Sequence, residues 1–139
     1  MSQSIFIASD HAGYELKSKI ITSFGNIVID LGTSSLERVD YTDYAEILVS
    51  KVISNDSKGI LICGSGIGMS IAANRNRAIR AGIAFNPEIA KLMIEHNDAN
   101  VLVLPGRFMN VEISIKCVNN FLNSKFEGGR HKKRIEKLS

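Results

Sequence analysis

Apolar runs of strand length recur along the chain, and each is followed by a stretch whose apolar positions fall on one face of a helix. "SIFIAS" (4–9) leads into 14–24, "NIVIDLG" (26–32) into 41–53, "GILICG" (59–64) into 67–76, "RAGIAF" (80–85) into 87–96 and "NVLVLPG" (100–106) into 111–126. That rhythm predicts five strands alternating with about five helices. The runs are continuous and rich in β-branched residues, which marks strands buried on both faces. The expected fold is therefore a doubly wound α/β sandwich, a five-stranded parallel sheet with helices on either side. Asn86-Pro87-Glu88 supplies an N-cap, a proline at the first helical position and an early acid for the fourth helix. Gly128-Gly129 breaks the last long helix from a short basic helical tail, 128–139, which is an appendage to a single domain spanning 1–139.

In such a sheet the loops at the carboxyl ends of the strands gather along one edge, and ligands bind there near a topological switch point. Asp10 and His11 follow the first strand, Asp40 and Tyr41 close the loop after the second, and Cys63 to Gly68 follow the third, so all three meet on that edge. His96 and Asn97 instead end the fourth helix, on the opposite edge. A single subunit leaves such a site incomplete, and a neighbouring chain could complete it.

Composition narrows the classes. A chain of 139 residues, 45% hydrophobic and 22% charged, is that of an ordinary soluble globular protein. No apolar run approaches the roughly 18 residues of a membrane span. The opening "MSQSIFIASD" lacks the basic region of a secretory signal, which predicts a cytoplasmic protein. Cys63 and Cys117 are too few for a disulfide framework and lack zinc-site spacing, so both are expected as free thiols. The net charge of +3 is concentrated in "GGRHKKRIEK" at 128–137. A solvated charged end and a contact with something anionic both fit this tail; the absence of interleaved aromatics argues against a nucleic-acid arm.

The stretch "GILICGSGIGMSIAANR" (59–75) places a thiol at the mouth of a glycine loop that opens a helix. Glycines 64, 66 and 68 let the backbone approach a ligand, and amides at the helix start make an anion cradle, for a phosphate or for charge developing on a carbonyl substrate. A dinucleotide fingerprint fails because the third glycine comes one position early, with Met69 where the pattern wants glycine. A P-loop lacks its Gly-Lys-Ser/Thr ending, and a cysteine phosphatase would need arginine where Met69 stands. Beside backbone donors at a helix N-terminus, Cys63 has its thiolate form favoured and could act as base or nucleophile. Packed at the end of a buried strand, it would instead be a small hydrophobe. Cys117, on an apolar helical face in "IKCVNNFL", is expected to be inert core.

The blocks "SDHAGYELK", "DYTDYA", "GILICGSGIGMSIAANR", "HNDANVLVLPGR" and "FEGGRHKKR" resemble, in this order and over nearly the whole chain, ribose-5-phosphate isomerase B of the RpiB/LacAB sugar-phosphate isomerases. The resemblance implies a Rossmann-like homodimer or homotetramer with sites shared between subunits. It also implies interconversion of ribose 5-phosphate and ribulose 5-phosphate through a cis-enediolate, with no cofactor and no metal. Six-carbon phosphates such as allose or galactose 6-phosphate are alternative substrates, since one extra carbon is weakly discriminated. Rivals of another class are a non-catalytic phosphate-binding module and a thiol hydrolase acylated at Cys63.

By the same resemblance Cys63 is the base, and Ser65 supplies a hydroxyl beside the reacting oxygens. The amides of Gly64, Ser65, Gly66, Ile67, Gly68, Met69 and Ser70 stabilise the enediolate. Some relatives lack the cysteine and carry a glutamate base at the position of Met69, so this chain has the cysteine form. His96 opens the furanose ring, a task suited to an imidazole that can donate and accept at neutral pH. Asp10 and Tyr41 touch sugar hydroxyls, and Asn97 holds the substrate near the reacting carbons. His11, Arg107, Arg130 and Arg134 bind the phosphate, the last two across a subunit interface; arginine's planar fork suits that use. His131, Lys132 and Lys133 are expected to be solvated neighbours.

Overall fold

The computed structural model describes residues 4–139. Its strands are β1 (Ile5–Ser9), β2 (Val28–Asp30), β3 (Lys58–Cys63), β4 (Ala81–Ile83) and β5 (Val101–Pro105). Its helices are α1 (Tyr14–Phe24), α2 (Tyr41–Asn55), α3 (Ile67–Ala73), α4 (Pro87–Glu95), α5 (Val111–Asn123) and α6 (Arg130–Glu136). Short 3-10 turns at His11–Gly13 and Gly25–Ile27 flank α1. All neighbouring strands pair in parallel, in the order β2-β1-β3-β5-β4. From β1 the chain steps outward to β2 and then crosses back to β3, so the carboxyl ends of β1 and β3 flank the switch point.

Alternation along the strands divides the core. Ile5, Ile7, Ile60, Ile62, Leu102 and Leu104 face α1, α4 and α5, meeting Ile20, Met93 and Phe121 among others. Phe6, Ala8, Leu61, Cys63, Val101 and Val103 face α2 and α3, against Leu48, Val52 and Met69. The doubly wound, Rossmann-like sandwich is thus present, with helices on both faces.

Two details differ from the pattern-based expectation. Burial on both faces holds for β1, β3 and β5, but Ile29 and Asp30 of β2 are exposed and β4 is half-buried, because these are the two edge strands. Two helices also stop early. α3 ends at Ala73, where the Asn74 side chain both donates to the Ala81 carbonyl (3.0 Å) and accepts from its amide (2.8 Å), pinning the chain onto β4. At Ser124 the backbone turns extended, which closes α5 at Asn123.

Lys17 is fully buried, and its ammonium donates to Asp30 Oδ1 at 2.6 Å and to the Thr33 carbonyl at 2.7 Å. This charge-assisted pair ties α1 to the segment leaving β2. Among the described residues no helix is long and apolar enough to cross a membrane.

Candidate active site

At the end of β1 the buried carboxylate of Asp10 accepts from the Gly13 amide at 3.1 Å and caps the 3-10 turn that carries His11. His11 Nδ1 accepts from the Val39 amide at 3.2 Å. The neutral ring must therefore carry its proton on Nε2, leaving that nitrogen as a donor.

β3 delivers Cys63 beside this turn. The residue is 5% exposed and belongs to the α2/α3 core. Its carbonyl accepts from the Gly106 amide at 2.8 Å, and the next carbonyl, of Gly64, accepts from the Arg107 amide at 3.0 Å. Two consecutive backbone bonds thus knit the cysteine loop to the loop after β5. The Arg107 side chain lies over Gly64, since a Cβ there would stand 3.3 Å from its Cδ and Nη1.

Within the loop, Ser65 Oγ accepts from the Ile67 amide at 3.2 Å, and the Ser70 amide donates to the Gly66 carbonyl at 3.0 Å. Those two amides are already engaged. The Met69 side chain is fully buried beneath α3. Gly68 admits the ring of Tyr41, which opens α2; both line a groove of about 790 Å³ with Asp43, Glu46, Ile47 and Ile71.

A second cluster sits elsewhere. His96 caps the carboxyl end of α4, just before the chain enters β5, and Asn100 then bonds to Gly59 at the start of β3. Cys63 lies at the far end of that strand, about 13 Å from Gly59 at roughly 3.3 Å per residue. His96 and Cys63 are not brought together within one chain. Asn97 lines a separate cavity of about 500 Å³ with Arg77, Arg80, Met93 and Leu138.

The tail completes this second cluster. The Glu127 amide donates to the Glu95 carbonyl at 3.0 Å, and Gly128 and Gly129, at φ +70° and +54°, turn the chain back so that α6 packs on the end of α4. Such φ values favour glycine. Arg130, Lys133, Arg134 and Lys137 recur at helical spacing and line one groove of about 580 Å³. His131 is not the solvated neighbour expected from the sequence: it is buried, stacked on His96 with ring centroids 4.4 Å apart. Burial, then the charges of Arg130 and His96, hold its imidazole below the ordinary value, against the raising effect of Glu127. No pattern in the sequence marks His131 for burial, although the glycine pair signals that the chain reverses there.

Cys117 is fully buried on α5, and burial pushes its thiol up to about 11. It is a core thiol, as its helical face predicted. One group of the candidate residues, comprising the thiol loop, Tyr41, His11 and Arg107, therefore gathers at the switch point. A second group, His96 with Arg130 and Arg134, lies with the tail.

Over nearly its whole length the chain is similar to proteins of one family. The model of the ribose/galactose isomerase family matches residues 5–138. A probable ribose-5-phosphate isomerase B of Mycoplasma pneumoniae is 46% identical, covering 99% of this chain and 94% of that protein. The crystal structure of a ribose 5-phosphate isomerase from Thermotoga maritima superposes with a TM-score of 0.95 at 49% identity, over 99% of this chain and 98% of the other. That of Mycoplasma genitalium ribose-5-phosphate isomerase B, with bound ribulose-5-phosphate, gives a TM-score of 0.94 at 42% identity, over 99% and 95% of the two chains.

Proposed function

The chain belongs to the ribose/galactose isomerase family, and from that premise we propose that it interconverts ribose 5-phosphate and ribulose 5-phosphate through a cis-enediolate. The observation that carries this reading is the pair of backbone bonds by which Gly106 and Arg107 hold the Cys63 loop: a thiol, helix-start amides and an arginine-bearing loop meet at one switch point. The relative with bound ribulose-5-phosphate supports the substrate class.

The reaction removes a proton from C2 of the open-chain aldose, holds the enediolate and returns a proton to C1. Cys63 acts as the base. Ser65 and the loop amides not engaged in the Ile67 and Ser70 bonds stabilise the oxygen on which charge develops; preorganised donors of this kind supply a large share of such catalysis. His11, with its proton directed to Nε2, and Arg107 bind the phosphate, while Asp10 and Tyr41 meet sugar hydroxyls.

His96 shuttles the ring-opening proton, and Arg130 and Arg134 complete the phosphate clamp. Because these three lie far from Cys63 in one chain, they act on the site of a neighbouring subunit, in a homodimer or homotetramer of single-domain chains, and Asn97 enters with them. A coupled assay of purified protein on ribose 5-phosphate, run beside allose and galactose 6-phosphates, tests the reading. Turnover of the five-carbon substrate is expected; turnover of six-carbon phosphates alone would replace the substrate, and tight binding without turnover would leave a phosphate-binding module.

A further inference from the structure

We propose that His96, Glu127 and His131 form an inhibitory binding site for a divalent transition metal of the zinc type. One ligand atom from each lies within 4.8 Å of the others. Two imidazoles and a carboxylate are a set that zinc accepts, with a fourth position left for water. Zinc holds such atoms at about 2.0–2.2 Å, so the cluster must contract by a small movement.

The structure shows which members are fixed and which can move. His131 is 8% exposed, and its Nε2 is buried without a hydrogen-bond partner, 3.6 Å from Glu127 Oε1. Buried polar atoms of this kind are rarely left unpaired, and an ion would satisfy it. Glu127 and His96 are half-exposed, with His96 Nε2 3.9 Å from the same carboxylate oxygen. In the stacked arrangement the two rings are nearly parallel, 16° apart; His96, the freer ring, must turn about its side-chain bonds to share an ion with His131.

The backbone brings the three together for reasons independent of catalysis. The Glu127 amide is anchored on the Glu95 carbonyl, one residue before His96, and the two positive-φ glycines return the chain so that His131 falls beneath that ring. Arg130 and Arg134 oppose a cation, but they line the separate groove on α6, and the Glu127 carboxylate offsets them. Binding requires both imidazoles in their neutral form.

The inhibitory half rests on the proposed role of His96: an ion on that imidazole removes the lone pair needed to shuttle the ring-opening proton. The binding half does not rest on it. Zinc uptake by the full-length Cys63→Ala protein, which excludes capture by that thiol, is measured by calorimetry and by equilibrium dialysis. The expected result is one ion per chain, with affinity falling at least about tenfold when His131→Phe or Glu127→Gln is added. His131→Phe keeps a stacked ring, and Glu127→Gln alters an exposed position and serves if the first variant does not fold. No saturable uptake, or equal uptake in both added variants, would overturn the site. In the otherwise wild-type enzyme, zinc is expected to inhibit turnover reversibly by chelator, with at least about tenfold lower sensitivity in Glu127→Gln; full turnover at metal saturation would overturn the inhibition. A protein that takes up zinc but never turns over ribose 5-phosphate would sink the isomerase reading and leave the metal site standing.

Discussion

The ring of Tyr41 lies flush on the backbone of Gly68: a Cβ at that glycine would stand 2.6 Å from Cε1 and Cζ of the tyrosine. The first turns of α2 and α3 are thereby locked to each other at the mouth of the thiol loop. Gly68→Ala is expected to push the ring aside and misplace the sugar, lowering kcat/KM for ribose 5-phosphate by up to about a hundredfold. In a Tyr41→Ala background the same change should cost much less, a coupling that a double-mutant cycle reads directly.

Removal of the thiol isolates the proton-transfer step. Cys63→Ala is expected to lower kcat by roughly 10²- to 10⁴-fold with little change in KM, measured in the coupled assay. A fully active Cys63→Ala enzyme would exclude the sulfur as base.

The distance between Cys63 and His96 makes complementation a test of the shared site. Cys63→Ala and His96→Ala subunits should each be nearly inactive alone. Mixed, unfolded and refolded together in equal amounts as dimers, they should recover about a quarter of wild-type turnover, since about half of the dimers are mixed and each carries one intact site of two. No recovery would place both residues in one subunit's site.

Arg134→Ala should raise KM more than it lowers kcat, by about ten- to a hundredfold, the worth of a charge-assisted hydrogen bond to phosphate. Initial rates over a range of ribose 5-phosphate concentration separate the two parameters.

Burial pushes the thiol of Cys117 up to about 11. Iodoacetamide at pH 8.5 should therefore label Cys63 first, as read by peptide mass spectrometry, with Cys117 labelled only on unfolding. The sign for stability follows from linkage: a pKa raised in the folded state favours folding below the unfolded thiol's value of about 8.5 and loses that contribution as pH rises toward 11. The thermal midpoint of the wild type should accordingly fall more steeply above pH 9 than that of Cys117→Ala.

Lys17→Met keeps the aliphatic stem and removes the ammonium that holds Asp30 and the Thr33 carbonyl. The carbonyl loses a charged donor, with an expected cost of about 2–3 kcal/mol, measured as a shift of the urea midpoint at unchanged m-value.

Much of this architecture is legible in the sequence because it is local. Strand runs, the Asn86-Pro87 cap and the glycine break each act over a few residues, and the alternation of strand and helix dictates which loops share an edge. The exposure of β2 and β4 is not legible in the sequence, because a run of apolar residues does not say whether its strand lies at a sheet's centre or its rim. The junction of Cys63 with Gly106 and of Gly64 with Arg107 is non-local, formed by backbone atoms that carry no residue signature. The charged neighbours of His131 point to a solvated ring, whereas its burial follows from the non-local Glu127-to-Glu95 amide contact and the glycine reversal that fold the tail inward.

The glycine pair that returns the tail has an evolutionary corollary. A Cβ at Gly128 or Gly129 would meet nothing within 4 Å, so by crowding alone either position should accept almost any amino acid. Chirality forbids what space permits: L-residues pay about 1–2 kcal/mol to hold left-handed backbone, and two in succession would let the arginine-bearing helix drift from its mooring. Drift in this lineage should therefore randomise the lysines around the hinge long before it touches the hinge itself.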